Sequence, residues 1–241
     1  MNKDFSLHRV HTFAFYGFAK SLTLHKNDRI DAYKLAYYGK VMEKKPNMYP
    51  EDLALRALVK RREYLVQQLS DEKRHQKQTH DGAMILNIQD HQRYLENSIQ
   101  ALEVLIEAHL QKNTQLQEKC SRLMSVPGIG KTIAAKLLVT LPELGDATYT
   151  LSTLAALVGL APYGRDSGDF QGKRFIRGGR KIPRDALYMA VLTGFHKIPL
   201  LKNLKERLLQ KGKPCKVALV ACMRKLLAII HSILKRKVCF A

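Results

Sequence analysis

The stretch LMSVPGIGKTIAAKLLVTLPEL, Leu123–Leu144, decides how the second half of this chain is read. Apolar residues close one helix, Pro127 and Gly128 interrupt it, and a second helix-favouring apolar run begins at Lys131. Such a corner leaves the backbone N–H groups of Gly128, Gly130 and Lys131 at the positive end of the second helix, where an anion can be held. The same residues also fit an ordinary helical corner in which the glycines only permit a tight turn.

The anion reading resembles the helix-hairpin-helix motif, which grips a backbone phosphate without reading sequence. A P-loop is excluded, because only one residue separates Gly128 from the Gly130–Lys131 pair, where the P-loop needs four, and no strand precedes them. Composition favours the phosphate. In 241 residues, 41 Lys and Arg face 21 Asp and Glu, a formal charge of +20, so a polyanion is the expected partner. Nucleic acid comes first and an anionic membrane surface second.

With 46% hydrophobic residues the chain can build a real core. The longest apolar runs are interrupted by Arg224, Lys225 and His231, short of the roughly 18 residues a membrane span needs, and MNKDFSLHRVHTF carries no secretory signal pattern. The expectation is a cytoplasmic, nucleoid-associated protein without a membrane partner. Cys120, Cys215, Cys222 and Cys239 form no CxxC pair, so neither zinc nor a disulfide is expected. Cys215 and Cys222, seven apart, read as buried free thiols on one helix face.

Outward from the opening stretch, helices are predicted at about 119–124, 130–141, 151–158, 183–197, 199–211 and 214–237, with little strand signal. Upstream, Glu51 to about His80 and Met84 to about Lys119 carry apolar residues at helical spacing between charges. They read as an antiparallel hairpin or a coiled coil that joins protomers into a homo-oligomer. NDRIDAYKLAYYGK reads as a helix capped by Asn27 or Asp28 and ended by Gly39, and residues 1 to 24 show no clear period. The fold class is therefore mainly α, in three domains: 1–45, 46–120 and 121–241.

Two further places offer chemistry. Asp28 and Asp31, three apart on a helix, project to one side and could hold Mg²⁺; they equally suit an N-cap and a first helical turn. APYGRDSGDFQGKRFIRGGRKIPRDAL, Ala161–Leu187, surrounds Ser167 with glycines and with Lys173, Arg174, Arg177, Arg180 and Arg184. A serine attacking a phosphodiester needs cations to stabilise the phosphate and a base for its proton. The cations are present; no His sits beside Ser167, and Asp166 serves as base only if folding brings it there. The other reading is a basic loop that wraps a phosphate backbone. The basic residues of the last helix are read as a solvated or backbone-facing stripe without a site.

Taken together, SVPGIGKTIAAKLL, LAALVGLAPYGRDSGDFQGKRFIRGGRKIPRDALYMAVL and KPCKVALVACMRKLLAIIHSIL resemble the C-terminal half of insertion-sequence transposases of the IS110 type, most specifically over Ser125–Leu192. HKNDRIDAYKLAYYG is similar to the end of the RuvC-like DEDD domain of that family. The resemblance implies a RuvC-like domain joined by a coiled coil to a serine-bearing C-terminal domain, with DNA as substrate and a structured bridge RNA as guide. It implies that Asp28 and Asp31 are the last two acidic residues of a Mg²⁺-binding set, and that Ser167 forms a covalent link to DNA in a composite site shared between protomers. The family's first Asp and its Glu lie on strands that precede anything in this sequence. The chain is therefore expected to be an N-terminally truncated transposase, with residues 1–45 a remnant of the RuvC-like domain. The alternative is a nucleic-acid-binding remnant without catalysis.

Overall fold

A computed structural model describes residues 12–23, 25, 27–41, 52–164 and 174–240. The chain divides into two compact units, Met1–Glu51 and Asp52–Ala241.

In the first unit, α1 (Thr12–Leu22) packs on α2 (Asp28–Val41). The helix over α1 corrects the reading of residues 1 to 24 as aperiodic. Phe15, Phe18, Ala19 and Leu22 do follow helical spacing, but the interleaved aromatics and Gly17 are residues of low helix propensity and obscured it. Phe15 and Phe18 meet the Tyr38 ring edge-on at 5.7 and 5.0 Å. Asn27, rather than Asp28, caps α2: its Oδ1 accepts from the Ile30 N–H at 2.8 Å. Lys34 is buried and its Nζ donates to the carbonyls of Thr23 and His25, tying down the connection between the two helices.

The second unit opens with α3 (Leu53–Gln78) and α4 (Gly82–Lys112), the expected antiparallel hairpin. Asp52 and Asp81 cap them, accepting from the N–H groups of Leu55 and Met84. Midway along, the hairpin buries a small cluster around Leu65, Leu95 and Ile99. At its open end Leu55, Val59, Ile106 and Leu110 enter the main core, so the hairpin and the helices after Cys120 share one hydrophobic interior. Asp52 fastens that end again, accepting from His109 at 2.5 Å. Burial pushes the Asp52 carboxyl up, but the hydrogen bonds from Leu55 and His109 outweigh it and hold the group below the ordinary carboxylate range.

The second long helix does not run to Lys119. It stops at Asn113, whose side chain caps α5 (Thr114–Met124) by accepting from the Leu116 N–H at 3.2 Å. Asn competes with the helix by bonding nearby backbone, and here it ends one helix and starts the next. There follow α6 (Lys131–Thr140), α7 (Leu151–Val158), a two-stranded ribbon of β1 (Pro162–Tyr163) and β2 (Phe175–Ile176), α8 (Lys181–Gly194), a 3-10 turn (Phe195–Lys197), α9 (Pro199–Gln210) and α10 (Cys215–Arg236). The protein is mainly α, as expected.

By length and composition α10 could cross a membrane, which the basic residues at 224 and 225 had argued against. Its apolar side chains are committed to the core: Cys222, Leu226, Leu227 and Ile230 are fully buried. Cys215 corrects another expectation, being exposed in the first turn, where the helix projects beyond the core. Burial pushes the thiols of Cys120 and Cys222 up, so both stay protonated and unreactive.

Candidate nucleic-acid interface

The interface is organised by two antiparallel helices, α6 and α8. The Val126–Gly130 turn precedes α6, and its Gly128 abuts Gly194 at the end of α8. At the opposite end, Arg180 at the start of α8 bonds Thr140 at the end of α6. The two features singled out in the sequence therefore lie about 15 Å apart, at the two ends of a ten-residue helix.

The glycines of the turn have different jobs. Gly128 has φ +89, and a Cβ there would meet the Ala190 carbonyl and, at 2.7 Å, the Gly194 Cα. It is required by packing, reinforced by Thr193, whose hydroxyl donates to the Gly128 carbonyl. Gly130 has an ordinary extended conformation and a Cβ there would meet nothing. As N-cap of α6 it makes no side-chain bond, so the first-turn N–H groups of the helix stay open. Lys131 lies beside them, and its Nζ forms an ion pair with Glu107 of α4. Both partners are well exposed, and a pair of this kind is worth at most about 1 kcal/mol, weak enough for a phosphate to displace.

Ser167, Asp166 and Lys173 lie outside the described residues, in the segment that joins β1 to β2. What the structure describes is the mount. The two strands pair antiparallel, Pro162 with Ile176 and Tyr163 with Phe175. Gly159 and Gly179, both with positive φ, sit where the chain packs on itself: a Cβ on Gly179 would strike the Gly159 backbone, and one on Gly159 would strike the Gly178 carbonyl. Arg180 donates its backbone N–H to Leu157 at 2.7 Å and its guanidinium to Glu143 and Thr140. Arg184 donates to the Gly178 carbonyl at 2.6 Å. Arg180 and Arg184, expected to contact DNA, are thus engaged in holding the ribbon's base. Arg174 and Arg177 border the segment and make contacts within the protein.

Asp28 and Asp31 occupy the first turn of α2 in the other unit. Asp28 is exposed, and Asp31 lies 4.0 Å from the Lys34 ammonium. Two adjacent carboxylates suit Mg²⁺, which is commonly held by one or two carboxylates together with phosphate oxygens. Among the described residues, no group of three or more His, Cys, Asp or Glu converges as a metal set. The residues present therefore fit part of such a site.

Glu143, Glu107, Gly159 and Gly194 were not anticipated. Glu143 stands 37 positions from Arg180, and a pairing at that separation leaves no local pattern. The GLA and TGF contexts of the two glycines gave the only hint, a glycine where a helix ends.

Residues 120–206 match the Transposase IS116/IS110/IS902 family. The sequence is 33% identical over 232 residues to the pilin gene-inverting protein of Moraxella bovis, covering 92% of this chain and 70% of that protein. Identity and coverage are the same for the pilin gene-inverting protein of Moraxella lacunata. It is also 30% identical over 114 residues to an uncharacterized 43.6 kDa protein of insertion element IS110 from Streptomyces coelicolor, covering 47% of this chain and 28% of that protein.

Proposed function

This chain belongs to the IS116/IS110/IS902 transposase family, whose chemistry is DNA recombination, and from that premise we propose that it cuts and rejoins DNA strands with Ser167 as nucleophile. The Ser167 hydroxyl oxygen attacks a phosphodiester phosphorus. An O–P bond to serine forms, the bond to one deoxyribose oxygen breaks, and that oxygen leaves with a proton equivalent to the one serine gives up. The number of phosphate ester bonds is unchanged. A hydroxyl of a second strand then attacks the seryl phosphodiester, joins the DNA and restores the serine.

Lys173, Arg174 and Arg177 neighbour Ser167 in sequence and supply cations for the charge that develops on the phosphate. Arg180 and Arg184 act one step back, by fixing the ribbon. Gly130 and Lys131 hold a second phosphate at the open start of α6. Asp28 and Asp31 would hold Mg²⁺, which when bound supplies charge neutralisation for a phosphate. A bridge RNA that selects the DNA and a second copy of this chain, joined through the hairpin, complete the reading.

The observation that carries the proposal is the ribbon's mount. Two glycines in contact, a bidentate Arg180–Glu143 pair and the Arg184–Gly178 bond fix both ends of the segment that bears Ser167. A segment that only wraps a phosphate backbone has no need of so rigid a base, whereas a nucleophile does.

The test incubates the protein with guide RNA, donor DNA and target DNA, beside Ser167→Ala. Recombinant product is expected from the wild type alone, with DNA binding retained in the variant. Product from Ser167→Ala at the wild-type rate contradicts the assignment.

A further inference from the structure

From the 3-10 turn to the start of α10, Lys197, Lys202, Arg207, Lys211, Lys213 and Lys216 are exposed, and none makes an ion pair among the described residues. One further cation, Lys205, lies over the Phe195 ring at 4.0 Å, and Glu206 is the sole acidic residue of the tract. Elsewhere several basic residues are neutralised at close range. On the hairpin Arg62 pairs with Glu103 and Lys73 with Glu96; at the turn Lys131 pairs with Glu107; at the ribbon Arg180 pairs with Glu143. These six cations, unpaired among the described residues, lie on twelve helical residues and their flanks and repel one another.

The tract is continuous with the turn before α6. Gly194 touches Gly128, and the chain passes from Gly194 directly into Phe195–Lys197 and α9. A phosphate backbone lying at the open start of α6 has this cationic surface beside it. The exposed side chains of α9 are Lys, Arg, Asn, Gln and Glu around two leucines, Leu200 and Leu209, with no exposed aromatic in the helix on which a base could stack. That composition suits the backbone of a duplex better than an unpaired strand.

We propose that α9 and the α9–α10 turn form a second DNA-binding surface, which grips duplex flanking the reacting phosphates without reading its sequence. The twelve residues of α9 extend about 18 Å, which matches about five base pairs of duplex. The surface rests on the family's DNA substrate and does not depend on Ser167.

The test measures binding of the full chain to fluorescent duplex DNA by anisotropy across a salt series. It compares wild type with Lys202→Gln, Arg207→Gln, Lys211→Gln and Lys213→Gln combined. The slope of log affinity against log salt should become shallower by about 0.9 for each cation that contacts a phosphate, about 3.6 for all four. Shortening the duplex by about five base pairs should weaken the wild type and leave the variant unaffected. The two paired variants, 202 with 207 and 211 with 213, give the same reading with less change of charge should the quadruple variant unfold. An unchanged slope overturns the proposal. So does a loss confined to structured RNA or to anionic lipid vesicles while duplex binding is intact. Because binding is read without strand cleavage, failure of the Ser167 assignment leaves this result interpretable.

Discussion

Arg180 donates through both terminal nitrogens to the two carboxylate oxygens of Glu143, at 2.7 and 2.6 Å, and one of those nitrogens also reaches the Thr140 carbonyl at 3.1 Å. The Glu143 side chain is only 14% exposed, so the pair is shielded from water on its acidic side. It joins the end of α6 to the start of α8 at the point where the chain leaves the ribbon.

Removing the carboxylate strands a guanidinium beside a carbonyl. Glu143→Ala should cost about 1.5–3 kcal/mol of stability, and strand transfer should fall further than DNA affinity does. A double-mutant cycle with Arg180→Ala, read by urea unfolding, should give a coupling of about 1–3 kcal/mol. Additive losses would show that the two side chains act separately.

The two glycines of the turn should separate in the same assay. Gly128→Ala forces a Cβ against backbone at positive φ and should destabilise by about 1–3 kcal/mol. Gly130→Ala meets open space and should change stability by less than about 1 kcal/mol. Equal losses at both positions would contradict the distinction between a packing glycine and an open helix start.

A pH dependence follows from His231 in α10. Its Nδ1 accepts from the Gly145 N–H at 3.0 Å, which requires the neutral ring. Burial, with Lys235 adding repulsion, lowers its pKa below the ordinary 6.5, against weaker opposing effects of Tyr149 and Asp146. The unfolded chain therefore takes up this proton first as pH falls. The contribution is complete above about 6.5 and is lost as pH falls through the lower folded value. Between pH 7.5 and 5.5 the urea midpoint of the wild type should drop more than that of His231→Gln. Parallel curves would show that His231 is not the group responsible.

Much of this was readable from the chain. The helix α7 was predicted residue for residue, and α6, α8, α9 and α10 to within a few positions, because glycine and proline punctuate apolar runs of clear period. Three things were hidden for physical reasons. The helix α1 carries its stripe on aromatic residues, which favour strands as readily as helices. The break at Asn113 depends on one polar side chain turning back on its own backbone. The ribbon's mount depends on contacts between Gly159 and Gly179 and between Glu143 and Arg180, residues far apart in sequence that only the folded core brings together. The roles proposed for the acidic pair and for Ser167 come from the resemblance; residue chemistry alone left both open.

The most direct test of the central claim is to trap the reaction midway. Labelled DNA is incubated with the protein and guide RNA, quenched in detergent, and the covalent protein–DNA adduct is digested and mapped by mass spectrometry. The account predicts a nucleotide phosphate on the peptide containing Ser167, absent from Ser167→Ala. An adduct on another residue, or recombination with no covalent adduct at any time point, contradicts it.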